Sequence, residues 1–525
     1  MPRGRLGLIA AAAFGAALAG LSLPRAGLWA FGWVGLIPLF LAANAAHSRR
    51  FAAAAGFAAG VGYHAVVLHW IYDTCRFAQI PVPVSIFAWL ALAGALAINW
   101  ALVGLMGAWL SARAPRALRP WIWAVVWTAV AAASSRWTPR LAVDLLAYTQ
   151  WPNLALIQAG SWGGPHLLGF VIVLVNAALA EAWLDAPTRA YGPAVAPLTL
   201  ALALVAGMFI QGEAALLNRP TDRGASARVE ILQPDIDQYR KWDKAYVQEI
   251  LDGFDELLSR PGQTPVLVVW PETSIPRWTD RGAAAPEAAR WALAQKSTHL
   301  VGIIASPEGR EGPTNGVQLV APDGHVAGFY AKREIVPFGE YVPFRSWIPR
   351  FIINHWLQIL DNFGDMSPGP TRAPLLVTPF GPTAVTICYE AMFPRWARLD
   401  ASRGAHLLVN VTNDGWYKNT WGPSQHFGAN VFRAVENRIT VIRSGNTGIS
   451  AVIDPWGVIT AELALGERGR LDADVPLSDP FPARSFYSRH GDWLGMLCLL
   501  LTIFALVSSS LIRERPNGAG ELTPE

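Results

Sequence analysis

The chain has 525 residues, of which 52% are hydrophobic and only 15% charged, with 24 tryptophans and a formal net charge of +4. A soluble globular protein carries roughly 25% charged residues, so this composition excludes a chain that is soluble throughout and implies membrane segments beside a soluble part. The arginines fall between apolar blocks without forming one basic face, which argues against nucleic acid as a partner and for lipid.

In chain order, apolar blocks run from Arg5 to Leu23, Leu28 to Ala46, Phe51 to Tyr72, Val82 to Leu110, Trp121 to Trp137, Gly163 to Leu184 and Ala196 to Leu217. Each is near or above the roughly 20 residues that cross a bilayer, so seven spans are expected before the soluble part. The first block resembles a cleaved signal peptide in its basic start, Arg3 and Arg5, but six further spans make it the first helix of a bundle. An eighth block, His490 to Ile512, is followed by Arg513 and Arg515 and a polar tail.

Orientation follows from the short loops. With a cytoplasmic N-terminus, the inside segments hold Arg3, Arg5, Arg49, Arg50, Arg113, Arg116, Arg119 and Arg189, whereas the outside loops hold Arg25, Arg76, Arg136 and Arg140. The positive-inside rule favours this arrangement. The expected organisation is therefore seven transmembrane helices in residues 1–220, an extracytoplasmic domain in 221–489, an eighth helix in 490–512 and a cytoplasmic tail in 513–525. A channel or transporter would need charge inside the spans. Beyond histidines such as His64, His69 and His166, best explained by packing or the interface, the spans hold almost none.

From about Arg228 to Arg489, short β-branched runs alternate with amphipathic ones. Val229–Leu232, Val266–Trp270, Leu300–Ala305, Val326–Tyr330, Leu407–Val409 and Ile439–Ile442 read as strands; Tyr246–Leu258, Ala284–Gln295 and Gln425–Asn437 read as helices. That order is α/β. An irregular insert from Trp347 to Pro370 carries Phe351, Trp356 and Phe363; Gly339, Gly364 and Gly369 are candidate hinges for it as a lid.

The chemistry concentrates at strand ends. Thr383–Ile387 is a β-branched run that stops at Cys388, followed by Tyr389, Glu390 and, at Phe393-Pro394, a helix start. A strand, a sharp turn and a helix lift one side chain out of a sheet and aim backbone N–H groups beside it. Cys75, Cys388 and Cys498 show neither metal-ligand spacing nor disulfide density, so Cys388 reads as a free thiol suited to nucleophilic attack. Glu272 ends the strand that closes with Trp270-Pro271, where ligands gather in open α/β sheets, and Lys332 follows the Val326–Tyr330 run. Alone, each is better explained as a capped carboxylate or a solvated lysine. Together they divide one labour: a base for the thiol, a cation for the carboxylate and the oxyanion, and the thiol itself.

Trp270-Pro271-Glu272, Lys332 with Pro337-Phe338-Gly339-Glu340, and Cys388-Tyr389-Glu390 closely resemble the motifs of the nitrilase superfamily. Set between a seventh and an eighth span, they are similar to the apolipoprotein N-acyltransferases of bacterial envelopes, a resemblance that covers nearly the whole chain. Gln233–Gln238 with Lys241-Trp242, Val411–Trp416, Gln425-His426 and Gly445–Gly448 extend it. The resemblance implies a multi-span α-helical membrane domain joined to an α/β nitrilase-like αββα sandwich in the periplasm, in the inner membrane, with both termini cytoplasmic. It also implies Glu272 as general base, Lys332 as transition-state stabiliser and Cys388 as nucleophile, supported by Glu340, Glu390 and Tyr389, with Trp242 and Trp416 lining the substrate site. The implied partners are a phospholipid acyl donor and a diacylglyceryl apolipoprotein acceptor. No metal or organic cofactor is expected, and the chain is expected to act as a monomer. A membrane-tethered amidase using the same three residues is the alternative.

Overall fold

The computed structural model describes residues 3–45, 48–137, 145–185, 192–220, 224–238, 240–306, 312–347, 365–477 and 484–511. The part of the insert from 348 to 364, with Phe351, Trp356, Phe363 and Gly364, lies outside them.

Each apolar block is helical, but not each is one straight helix. Helices Arg3–Gly20, Val82–Ser111, Arg119–Trp137, Gly192–Leu217 and Trp493–Leu511 follow their blocks closely. The second block divides into a short 3₁₀ turn, Trp29–Trp33, and the helix Ile37–Ala45. The third breaks at Leu68 into Arg49–Val67 and His69–Phe77, bent by 46°. The sixth, Gly160–Asp185, kinks where Gly164 takes a positive φ of 64° ahead of Pro165, as expected where glycine permits and proline interrupts the helical ladder.

Among the described residues, four helices are long and apolar enough to cross a membrane: Val82–Ser111, Gly160–Leu184, Val195–Leu217 and Trp493–Leu511. The bent pair at Leu68 makes a fifth, while Gly4–Gly20 and Trp29–Ala45 are shorter apolar helices. A count of eight spans therefore depends on taking these two and Arg119–Trp137 as spans as well.

Helices Arg49–Val67 and Val82–Ser111 cross closely because small residues face each other, the usual device where lipid supplies no hydrophobic drive. A Cβ on Gly56 would fall 2.3 Å from the Trp100 carbonyl oxygen, and one on Gly104 2.3 Å from that of Ala52.

The second part is a sandwich of two sheets. One has the order β13-β1-β2-β4-β5-β6, with β3 also paired to β4, where β1 is Ser226–Gln233, β2 Leu267–Val269, β3 Trp278–Thr279, β4 Thr298–Ala305, β5 Thr314–Val320, β6 Val326–Ala331 and β13 Gly469–Pro476. The other has the order β12-β11-β10-β9-β8-β7, with β7 Leu376–Thr378, β8 Gly381–Ile387, β9 Leu407–Thr412, β10 Thr440–Gly445, β11 Ser450–Ile453 and β12 Ile459–Leu463. The central pairs β1/β2, β2/β4, β8/β9 and β9/β10 are parallel.

Strand alternation explains the layering. Val229, Ile231, Leu267 and Val269 join Val385, Val409 and Val441 between the sheets, whereas Leu232, Val268 and Trp270 turn outward onto helices Val247–Leu258 and Pro286–Gln295. Helices Pro394–Ser402 and Gly422–Asn437 cover the other sheet. The result is the expected αββα arrangement.

The strands anticipated from β-branched runs are present; β3, β5, β7, β11, β12 and β13 are additions. Strand β5 reads Thr-Asn-Gly-Val-Gln-Leu-Val, too polar to look buried, yet every residue in it is buried. Its polar side chains are bonded: the Gln318 amide donates to the carbonyls of Asp280 and Ala283 at 2.8 and 3.0 Å.

Gly104→Ala is expected to lower the melting temperature in detergent, the overpacking costing about 1–3 kcal/mol. Gly94→Ala on the same helix, where a Cβ meets nothing within 4 Å, leaves it unchanged or raises it. Equal melting temperatures for the two variants would contradict the close crossing.

Candidate active site

Strand β8 ends in a turn that ordinary backbone geometry disfavours. Cys388 has φ +48°, a left-handed conformation costly for a residue with a Cβ, and opens a 3₁₀ turn through Met392. The Glu390 carboxylate holds it: this buried group accepts from the N–H of Ile387 at 2.7 Å, the N–H of Arg333 at 2.6 Å, the N–H of Glu334 at 3.1 Å and the Tyr330 hydroxyl at 2.7 Å. Glu390 thereby fastens the cysteine turn to the end of β6, which carries Lys332. Arg333 is fixed in turn by a bidentate pair with Asp400, at 2.8 and 3.2 Å.

Glu272 leaves the end of β2 through Pro271 and into Thr273, whose φ is +47°. The turn lies so close on β4 that a Cβ at Gly302 would stand 2.2 Å from the Pro271 oxygen and 2.8 Å from the Glu272 Cα. Lys332 Nζ is 2.8 Å from Glu340 Oε1 and 3.4 Å from Glu272 Oε1. The Asn315 amide, from β5, donates to the same two oxygens at 2.8 and 2.7 Å. One ammonium and one amide thus bridge two buried carboxylates. Glu340 is also held by the Val336 N–H at 2.8 Å.

Lys241 reaches this cluster from the far side and donates to the Glu272 backbone carbonyl at 2.9 Å. Burial pushes its ammonium down to about 7, against the opposing pull of Glu272 and Cys388. Burial also disfavours the Lys332 cation, but Glu340 and Glu272 outweigh it and hold Lys332 above its ordinary value. The Cys388 thiol is pushed well up by burial and further by the Glu272 charge, while Lys332 and a hydrogen bond from Thr412 pull it down. The resting thiol is therefore protonated and needs a base to become a nucleophile.

The structure brings Glu272, Lys332, Cys388, Glu340 and Glu390 together. Tyr389 is buried beside them, its ring 4.9 Å from that of Phe393. Trp242, next to Lys241, and Trp416, in the turn after β9, are half-buried. Tyr417, beyond Trp416, is also close to the site, and burial pushes its hydroxyl well up, with the charges of Asp414 and Glu272 adding to the effect. Asn315 escaped sequence reasoning, because the polar run that holds it, β5, does not look like a strand.

Two β-sheets with helices outside, carrying a cysteine, a lysine and a glutamate at converging strand ends and a second glutamate on the loop after β6, define a carbon-nitrogen hydrolase fold of the nitrilase superfamily. The family model "Carbon-nitrogen hydrolase" matches residues 228–483, and "Apolipoprotein N-acyltransferase N-terminal domain" matches 15–178. Apolipoprotein N-acyltransferase of Geobacter metallireducens is 31% identical over 491 residues, covering 92% of this chain and 91% of that protein. The one from Rhodopseudomonas palustris is 31% identical over 503 residues, with 91% and 89% covered. Among solved structures, an amidase from Nesterenkonia sp. AN1 aligns at 21% identity and a TM-score of 0.37, covering 51% of this chain and 98% of its own. The chain belongs to the apolipoprotein N-acyltransferase family.

The charges around Cys388 make a signed prediction. Glu272→Gln removes an anion that raises the thiol, so alkylation of the Cys388 peptide sets in at lower pH than in wild type; Lys332→Met removes a cation that lowers it, so alkylation sets in at higher pH. Mass spectrometry of iodoacetamide-treated protein across pH reads both, and shifts of the same sign would refute the arrangement.

Proposed function

We propose that this chain transfers an acyl chain from a phospholipid, through a thioester on Cys388, to the α-amino group of the diacylglyceryl-cysteine that begins a bacterial lipoprotein. The observation that carries the reading is the buried Lys332 ammonium shared by Glu272 and Glu340 next to Cys388, in a chain whose other half is an apolar helical bundle.

In the first step Glu272 takes the thiol proton and Cys388 Sγ attacks the phospholipid ester carbonyl. The tetrahedral oxyanion forms against Lys332 and the N–H groups of the cysteine turn, where preorganised donors contribute most. Collapse breaks the ester bond, and the departing lysophospholipid oxygen takes the proton back from Glu272. In the second step the lipoprotein amine attacks the thioester, Glu272 accepts a proton from the amine nitrogen, and the C–S bond breaks. That proton returns to sulfur, leaving free enzyme and an N-acylated product. Glu340 and Asn315 keep Lys332 and Glu272 in register, Glu390 holds the turn, and Tyr389, Trp242 and Trp416 border the acyl or headgroup site. Membership of the family along the whole chain favours transfer over the tethered amidase.

The topology reading draws support from which loops touch the catalytic domain. Arg25, after the first helix, donates to the Asn419 carbonyl at 2.7 Å. Trp70, just past the break in the third, donates to Gln425 at 3.1 Å; Tyr148, after the fifth, accepts from Arg433 at 3.0 Å; and Arg219, after the seventh, stands 3.7 Å from Asp454. The first, third, fifth and seventh helices thus each have a contact with the same domain at or near their later part, in keeping with eight alternating spans. With the arginine-rich segments at the opposite ends, this supports cytoplasmic termini and a periplasmic catalytic domain in the inner membrane.

Intact-mass spectrometry of the protein incubated with phospholipid vesicles tests the reading. Wild type gains one acyl mass, which a diacylglyceryl peptide discharges; Cys388→Ala gains none. Hydrolysis of small amides with no acyl adduct would restore the amidase, and neither activity would remove Glu272, Lys332 and Cys388 from their roles.

A further inference from the structure

Helix Gly422–Asn437 lies between the cysteine turn and the membrane bundle, with every residue except Ser424 buried. His426, in its first turns, is 4% exposed and meets an oxygen at each ring nitrogen. Nε2 is 2.7 Å from the backbone carbonyl oxygen of Cys388, and Nδ1 is 2.9 Å from Asp414 Oδ1. Asp414 is fully buried and also accepts from Arg443 at 2.8 Å and the Thr412 hydroxyl at 3.3 Å. Burial disfavours its charge, but Arg443 and His426 overcome that and hold the carboxyl well below the ordinary range.

A peptide carbonyl and an ionised carboxylate have no proton to give. Nε2 therefore donates to the Cys388 carbonyl, while Nδ1 faces the Asp414 carboxylate and the Arg443 guanidinium, 3.2 Å away, which share that side of the ring. The atom gripped belongs to the one residue of the turn held at positive φ, so the ring fixes the direction in which the Cys388 backbone enters that strained turn. The same helical turn is anchored to the break in the third membrane helix: Gln425 donates to the Val67 carbonyl at 3.0 Å and accepts from Trp70 at 3.1 Å.

We propose that His426, clamped by Asp414 and Arg443, is a positioning residue for the nucleophile: by donating to the Cys388 carbonyl it holds Sγ on the line of attack. The inference rests on the acyl-enzyme reading above, and wild type serves as its control.

The test is the rate of acyl-enzyme formation from phosphatidylethanolamine vesicles, read by intact mass, for wild type, His426→Ala, His426→Gln, Asp414→Asn and the double variant His426→Gln/Asp414→Asn. Displacing a reacting atom by about 1 Å costs about a hundredfold, so His426→Ala is expected to slow acylation by about that factor while the KM for phospholipid stays within about threefold. In His426→Gln the side-chain amide still donates to the carbonyl, but its oxygen faces the Asp414 carboxylate; acylation falls to an intermediate rate. Asp414→Asn supplies the missing donor, so the double variant acylates about tenfold faster than His426→Gln, although Asp414→Asn alone is slower than wild type. A role confined to filling space predicts no such rescue.

Acylation at the wild-type rate in His426→Gln, or a double variant slower than His426→Gln, overturns the proposal, and these two comparisons decide it even where His426→Ala fails to fold. Wild type that forms no adduct at all overturns the acyl-enzyme reading instead.

Discussion

A lysine ammonium taken wholly out of water has to be matched by charge, and much of the catalytic half is arranged around meeting that demand for Lys332. Its partners come from separate places in the chain: Glu272 from the end of β2, Glu340 from the loop after β6, and Asn315 from β5 to bridge the two carboxylates. Removing one partner of such a buried group costs roughly 3–5 kcal/mol, so the ends of these strands are held in one register by electrostatics as much as by packing. The same requirement prepares the chemistry: a cation that cannot leave its carboxylates is already in place when an oxyanion forms beside the thiol.

A second network does for the sulfur what the first does for the base. Glu390 collects four donors and ties the cysteine turn to β6, while His426, Asp414 and Arg443 meet it from the opposite side. The strained φ at Cys388 is tolerable because the turn is held from both directions, the usual condition for backbone strain to persist at a working site. Between the two networks the thiol lies buried, and that burial keeps it protonated until Glu272 takes its proton.

The parts legible from sequence were those whose signal is local. Runs of β-branched residues announced β1, β2, β4, β6, β8, β9 and β10, and because three of them stop abruptly at Glu272, Lys332 and Cys388, the site could be assembled from strand ends. Hydropathy found the helical blocks, yet not the break at Leu68 or the kink at Gly164, since apolar composition does not distinguish a straight helix from a broken one. Strand β5 was hidden by its own polar residues, whose partners lie elsewhere in the chain, and Asn315 was hidden with it. Lys241, His426 and Arg443 lay in or near motifs that drew notice, but their roles depend on oxygens contributed by Glu272, Cys388 and Asp414, distances no spacing rule reveals. Trp242 and Trp416 stood out by residue type, whereas Tyr417, whose hydroxyl is buried, was not conspicuous.

Helix Gly422–Asn437 is a core helix only while the membrane bundle covers it. Its Phe432 ring packs 4.9 Å from Tyr148, Gly428 faces Pro24, and Glu436 lies against Gly160. Excised from the bundle, this helix would show water an apolar stripe beside Arg433, stripped of its Tyr148 bond. The membrane half therefore supplies one wall of the catalytic half's core as well as an anchor: the cover that a free-standing sandwich would need from its own chain comes here from Pro24, Tyr148 and Gly160.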